Sequence, residues 1–155
     1  MIIQPINRTD AEKVFIQIHN VHGATVTAGQ VTRFVGGTPA EIVNADGIQV
    51  VLINADGEMV TCAGVAANDI ADNDFGLSQV YGIVNSVLLS AEADKTVAPV
   101  TLGVSFLRVG AEDGSMTSVI AAEALSTMAF NNILVLNTTN ISGGKNYAKA
   151  FIRAL

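Results

Sequence analysis

Hydrophobic and polar positions alternate in short runs bounded by turn residues, and this period of two predicts strands rather than helices. Val14-Phe15-Ile16-Gln17-Ile18-His19-Asn20 is rich in β-branched and aromatic residues and stops at Val21-His22-Gly23, so it reads as a strand that ends in a loop. Val31 to Val35 repeats the pattern after Ala28-Gly29. The tetrapeptide Asn-Ala-Asp-Gly occurs at Asn44 to Gly47 and again at Asn54 to Gly57, and Asp-Gly supplies the positive φ angles that two-residue hairpin turns require. The turns flank Ile48-Gln49-Val50-Val51-Leu52-Ile53 and so predict a β-meander. Its middle strand is nearly all apolar and is expected to be covered on both faces.

A second rhythm places a glycine before a β-branched residue at Gly64-Val65, Gly82-Ile83 and Gly103-Val104. Strand glycines of this kind mark bulges or places where another backbone approaches closely. Polar turns at Asn68 to Asp74 and Ser90 to Lys95 separate them. Asn132 to Asn137 reads as a strand. After Ser142-Gly143-Gly144, the stretch from Tyr147 onward alternates large with small or polar groups, which sets Tyr147, Phe151 and the stem of Arg153 on one face. Thr117 to Met128 is compatible with a strand or with one short helix. The fold class expected is all-β, or β-rich with that one short helix: a β-sandwich or β-barrel built from consecutive hairpins.

The chain has 155 residues, half of them hydrophobic and 14% charged, with a mean hydropathy of +0.45. One compact domain is the expectation from that length, and the apolar content is too high for intrinsic disorder. The net charge of -6 repels phosphate backbones and anionic lipid, so neither nucleic acid nor a membrane is expected as a partner. Charge is uneven: +1 up to Arg33, -10 from Phe34 to Glu123 and +3 beyond. Basic terminal strands paired beside acidic central ones explain this within one domain; an inter-subunit role is the alternative. A single cysteine, Cys62, cannot form an intramolecular disulfide. Met1 to Ile6 lacks an apolar signal core, and no run approaches the roughly 18 apolar residues of a membrane span, so folding in the cytoplasm is expected.

Groups that could carry chemistry are scarce. His19 and His22, the two histidines, lie at a strand end without the further ligands a zinc site needs. Cys62 sits in an apolar strand with no basic neighbour to activate it, so a buried, inert thiol is expected. Asp69, Asp72 and Asp74 with Asn68 and Asn73 form a dense acidic cluster, but counted from Asp72 the loop places Gly76 and Leu77 where a calcium-binding hand needs an oxygen ligand and a glycine. A solvated hairpin loop is the reading there, an irregular and weak divalent site the alternative. Aromatic platforms for sugar or single strands are few: Tyr81, Tyr147, no tryptophan, and six phenylalanines, most of them expected in the core. No catalytic, cofactor-binding or metal-binding residue is assigned, and no enzymatic activity is expected.

Several stretches resemble the capsid decoration, or cement, proteins of tailed bacteriophages. They are Asp10 to Phe15 running into Asn20, Gly23 to Gln30, Ala63 to Ile70, Phe75 to Gly82 and the ending Ala150 to Leu155. The resemblance implies a β-rich body, made in the host cytoplasm and bound to the major capsid protein on the exterior of the virion. It also implies self-association as a homotrimer and reinforcement of the shell. Residues 1–12 would then form an N-terminal arm, with Ile2, Ile3, Pro5, Ile6 and Arg8 touching the capsid or a neighbouring subunit, and residues 13–155 a single β-rich domain. The alternative is another virion β-protein, head-tail or fibre-associated, with receptor-binding duty.

Overall fold

A computed structural model describes residues 12–35, 48–54, 61–90, 107–109, 114–118, 133–136 and 145–154. They contain nine strands and no α-helix: β1 (Val14–Asn20), β2 (Val31–Phe34), β3 (Gln49–Leu52), β4 (Cys62–Ala66), β5 (Phe75–Ser90), β6 (Leu107–Val109), β7 (Met116–Ser118), β8 (Ile133–Val135) and β9 (Lys145–Arg153). The all-β expectation holds. Met116–Ser118 is strand, whereas 119–128, Gly103 and the first Asn-Ala-Asp-Gly turn lie outside the described residues. So do residues 1–11, with Ile2, Ile3, Pro5, Ile6 and Arg8.

The architecture is a closed five-stranded β-barrel. Hydrogen bonding runs β1-β3-β2-β4-β5, and β5 returns to pair antiparallel with β1. Strands adjacent in sequence pair antiparallel at β2–β3, β4–β5, β6–β7 and β8–β9, as hairpin patterning predicts. The meander is not what forms, however. Both β3 and β4 pair with β2, on its two sides, so β4 is not paired with β3. A turn sequence fixes a change of direction, not the partner of the strand that follows. Nor is β3 covered equally on its two faces: Val50 and Leu52 are buried, Gln49 and Val51 half-buried.

β5 is far longer than the short strands expected. Its 16 residues span roughly 50 Å at 3.3 Å per residue. Along that length it pairs with β1 over Phe75 to Tyr81, with β4 at Ser78 and Gln79, with β9 over Tyr81 to Ser90 and with β7 at Leu89. The barrel and the outer strands therefore share one backbone.

The core falls into two clusters. The smaller comes from the ring and its loops, with Ile18, Val26, Val50, Leu52, Ala63, Ala66 and Ile70. The larger joins Val31, Cys62 and Val65 to Val84, Val87 and Leu89 of β5 and to Ala148, Ala150 and Ile152 of β9. All of β4 is buried because it lies between them. A bulge makes this possible: Thr32 is opposite Gly64 but Arg33 is opposite Cys62, so Ala63 has no partner on β2. The extra residue shifts the alternation and lets Cys62 and Val65, three apart, face the same cluster. Val84 and Val87 do the same across the β5 bulge facing β9.

Side chains satisfy the displaced carbonyls: Ser78 Oγ donates to Ala63 O at 2.8 Å, and Thr32 Oγ1 donates to Gly64 O at 3.3 Å. The sequence expectation for glycine is met here. Gly64 has φ +108°, and a Cβ on it would overlap the Gln79 carbonyl oxygen and the Ser78 hydroxyl. Gly82, at φ +98°, is likewise closed by the carbonyl oxygen of Glu12.

Among the described residues, basic β9 is not paired beside an acidic strand; nine of the twelve central acids lie outside the described residues. Basic β9 lies beside β5 and β8, whose sequences contain no acidic residue. The charge-free sequence of β5 separates the acidic Asn68 to Asp74 loop from the basic strand.

Gly64→Ala tests the bulge. Positive φ alone costs about 1–3 kcal/mol for a residue with a Cβ, and the rigid Gln79 backbone adds overlap. Urea unfolding is expected to show a loss of about 3 kcal/mol or more; a loss under about 0.5 kcal/mol would mean that the bulge can relax.

Candidate functional site

Alternation along β1, β5 and β9 sends one set of side chains inward and leaves the other on a shared outer surface. On β1, Ile18 and Asn20 are buried while Phe15 and Gln17 are exposed. The register sets Gln17 opposite Leu77 and His19 opposite Phe75. On β9, Ala148, Ala150 and Ile152 are buried, whereas Tyr147, Lys149 and Arg153 are exposed and Phe151 is half-buried. Tyr147, Phe151 and Arg153 thus share a face, as the alternation predicts.

This surface is unusually apolar for an exterior. Phe75 is 52% exposed, Tyr147 48%, Leu77 47%, Phe15 43% and Tyr81 40%. The expectation that most phenylalanines pack in the core does not hold for Phe15 and Phe75, which are exposed; Phe34 packs half-buried against the smaller cluster, Phe151 is half-buried, and Phe106 and Phe130 lie outside the described residues. The signal was present in their phase, since Phe15 alternates with Ile16 and Ile18 and keeps step with Gln17 and His19. The rings are ordered by pairing. His19 stacks on Phe75 with centroids 4.6 Å apart, and Tyr81 meets Phe151 edge to face at 5.3 Å, geometries that cross-strand and diagonal neighbours favour. Several exposed large apolar groups on one sheet face are the feature a docking surface needs.

At the Phe75 end the loops are held by buried and carboxylate groups. Asn20, fully buried, shares its amide N–H groups among the carbonyls of Ala24, Ile70 and Ala71 at 2.8–3.1 Å. Its Oδ1 accepts from the backbone N–H of His22 at 2.9 Å. The acidic cluster does more than face solvent. Asp72 accepts from Gly23 N–H, Asp69 from Ala28 N–H and Asp74 from Phe75 N–H, each at 2.8 Å. Asp69 and Asp72 therefore tie the β4–β5 loop to the segment between β1 and β2.

The other sequence candidates separate. His19 has its Nδ1 buried without a hydrogen-bond partner against Phe75, and His22 is half-buried in the next loop. Among the described residues no group of three or more His, Cys, Asp or Glu is arranged to hold a metal ion. A half-open groove of about 250 Å³ is lined by Lys13, Phe15, Gln79, Asn85 and Ser86 among others, below the roughly 300–1,000 Å³ of typical small-molecule sites. Cys62 is buried, as expected, and burial pushes its thiol up to about 11 from an ordinary 9.0, against a smaller opposing effect of a hydrogen bond with the Gly64 backbone.

No family model matches the sequence, and no curated protein matches it. Among solved structures, the chain is similar to the N base of the head fibre protein gp8.5 of bacteriophage phi29. The TM-score is 0.50 at 13% identity, over 92% of this chain and 96% of that one. At that identity the likeness is one of fold.

Burial of Cys62 has a measurable consequence. A thiol raised from 9.0 to about 11 in the folded state ionises first in the unfolded chain, so its contribution is intact below pH 9 and is lost as pH rises through about 11. Cys62→Ser is expected to weaken that alkaline loss, and a thiol reagent at pH 8 should label wild-type protein only after denaturation. Rapid labelling of the native protein would contradict the buried placement.

Proposed function

We propose that this chain is a structural protein of a tailed-phage virion, which binds the outer surface of the major capsid protein shell as a homotrimer and stabilises it. The observation that supports this most is the fold likeness to a phage head fibre base, which extends over nearly the whole of both chains. The sequence resemblance of Ala63 to Gly82 to decoration proteins points to the same kind of role. Those residues form β4, the acidic loop and the first half of β5, which carry part of the exposed apolar surface. In this reading the chain works by contact, without cofactor, metal, nucleic acid, membrane or catalytic step.

The stabilisation follows from mass action. A protein that binds only the assembled shell lowers the free energy of that state, by about 2.7 kcal/mol per site at a free concentration one hundred times Kd. The proposed contacts include an N-terminal arm through Ile2, Ile3, Pro5, Ile6 and Arg8, whose sequence is short, apolar and proline-containing.

A second reading is favoured by the same likeness: the chain is the base of a fibre on the phage head, with receptor-binding duty carried outward. The two differ in what the isolated protein binds. Incubation with undecorated capsids followed by sedimentation is expected to bring the chain down with the shells and raise their melting temperature, with both effects reduced by deletion of residues 1–7. Absence of the chain from the capsid pellet would overturn the cement reading, and labelled protein that bound intact host cells instead would favour the fibre reading.

A further inference from the structure

The first half of β5 has an exposed row with one position out of pattern. Phe75, Leu77 and Tyr81 are 52%, 47% and 40% exposed, whereas Gln79, in the same phase between them, is 6% exposed. A polar side chain sunk into an apolar row needs hydrogen-bond partners. The amide nitrogen of Gln79 donates to the carbonyls of Tyr81 and Ile83, at 3.1 Å each. Both N–H groups are thereby spent within the fold, and the amide is fixed with Oε1 as its remaining acceptor. Gln79 lines the half-open groove of about 250 Å³.

The rest of the lining combines one aromatic ring with polar side chains. Phe15, the register partner of Gln79, brings a ring that is 43% exposed. Between Val84 and Val87 the β5 bulge breaks the alternation, so the consecutive residues Asn85 and Ser86 are both exposed and bring an amide and a hydroxyl to the same groove. Lys13 adds an ammonium donor. The main chain has less to offer. The N–H groups of Gly29, Ala66 and Ala67, all in the lining, donate to the carbonyls of Ala66, Gln30 and Leu77. Recognition at this groove therefore falls to side chains that donate and accept beside an exposed ring.

We propose that the groove between Phe15, Gln79 and the β5 bulge binds a single pyranose unit of a neutral glycan. A sugar hydroxyl donates and accepts at once, and the lining answers both needs: Gln79 Oε1 accepts, Lys13 donates, and Asn85 and Ser86 do either. The electron-poor C–H groups of a pyranose suit the negative face of the Phe15 ring. The space equals about eight water molecules at their liquid volume, which accommodates one sugar ring and falls below the cavities of drug-sized ligands. Because Gln79 is already fixed, little freedom is lost on binding. An extended peptide is the competing occupant, but it docks chiefly by main-chain hydrogen bonds to a strand edge, and the N–H groups of Gly29, Ala66 and Ala67 are already bonded.

Sugar binding here requires neither capsid attachment nor a fibre role, and it is measured on the isolated full-length chain. Amide NMR spectra are recorded during separate titrations with glucose, galactose, mannose and N-acetylglucosamine. At least one of them is expected to shift the signals of Phe15, Gln79, Asn85 and Ser86 saturably, with a Kd in the millimolar range that about a dozen non-hydrogen atoms support. Asn85→Ala and Phe15→Ala should each weaken that binding about tenfold. Phe75→Ala, which removes an exposed ring stacked on His19 away from the groove lining, should leave it unchanged. All three side chains are exposed, and an unchanged circular dichroism spectrum with a cooperative melt keeps each variant interpretable. No saturable shift with any of the four sugars overturns the proposal, as do shifts that Asn85→Ala and Phe15→Ala leave intact. Saturable shifts of the same signals by a synthetic peptide of residues 1–11, with none from the sugars, would overturn it too and assign the groove to an extended polypeptide.

Discussion

The continuity of β5 is the constraint on which the remaining structure depends. One uninterrupted strand pairs with the ring through β1 and β4 and with the outer strands through β9 and β7. A backbone that serves both ends must keep its hydrogen-bonding groups satisfied over 16 residues while side chains change their surroundings several times. The sequence meets this with a run free of charge and of proline, a glycine at Gly82 where the Glu12 backbone presses in, and a bulge after Val84 that resets the alternation. Each irregularity has a packing purpose: Val84 and Val87 both reach the larger cluster because the strand takes one extra residue between them.

The same constraint decides where charge can go. A strand buried along much of its length excludes ionised groups; among the described residues Asp69, Asp72 and Asp74 sit in the loop before Phe75, and Lys149 and Arg153 occupy exposed positions of β9. Exposed rings at Phe15, Phe75, Tyr81 and Tyr147 occupy outward positions of β1, β5 and β9. Several large apolar groups exposed together are the feature a docking surface needs.

Much of the local structure was legible in the sequence because the period-two signal is local. The bounds of β1, the alternation of β9 and the loop at Asn68 to Asp74 all follow from neighbouring residues. Strand partners were legible only where sequence-adjacent strands form hairpins: Asn54 to Gly57 reads as a hairpin turn, yet β3 and β4 do not pair, because β2 pairs with both. Bulges also erase the period they interrupt. Cys62 and Val65, or Val84 and Val87, are three apart and look out of phase until the extra residue is known. The outer face was legible in part, since Tyr147 and Phe151 keep step with Lys149 and Arg153. The general expectation that phenylalanines pack in the core did not use the phase of Phe15, which keeps step with Gln17 and His19 and points outward. The loop-tying roles of Asp69 and Asp72 depend on Ala28 and Gly23, more than forty residues away, a relation no local pattern contains.

If β5 makes the ring and the outer layer one cooperative unit, the two must open together. Native-state hydrogen exchange, followed at low denaturant, measures this directly. The amides of Ile18 in β1, Val80 and Leu89 in β5 and Ala150 in β9 are expected to exchange with one common free energy and one denaturant dependence, equal to those of global unfolding. Exchange of Ala150 and Leu89 through a smaller opening, while Ile18 and Val80 remain protected, would show that the outer layer detaches from the ring and would contradict the account.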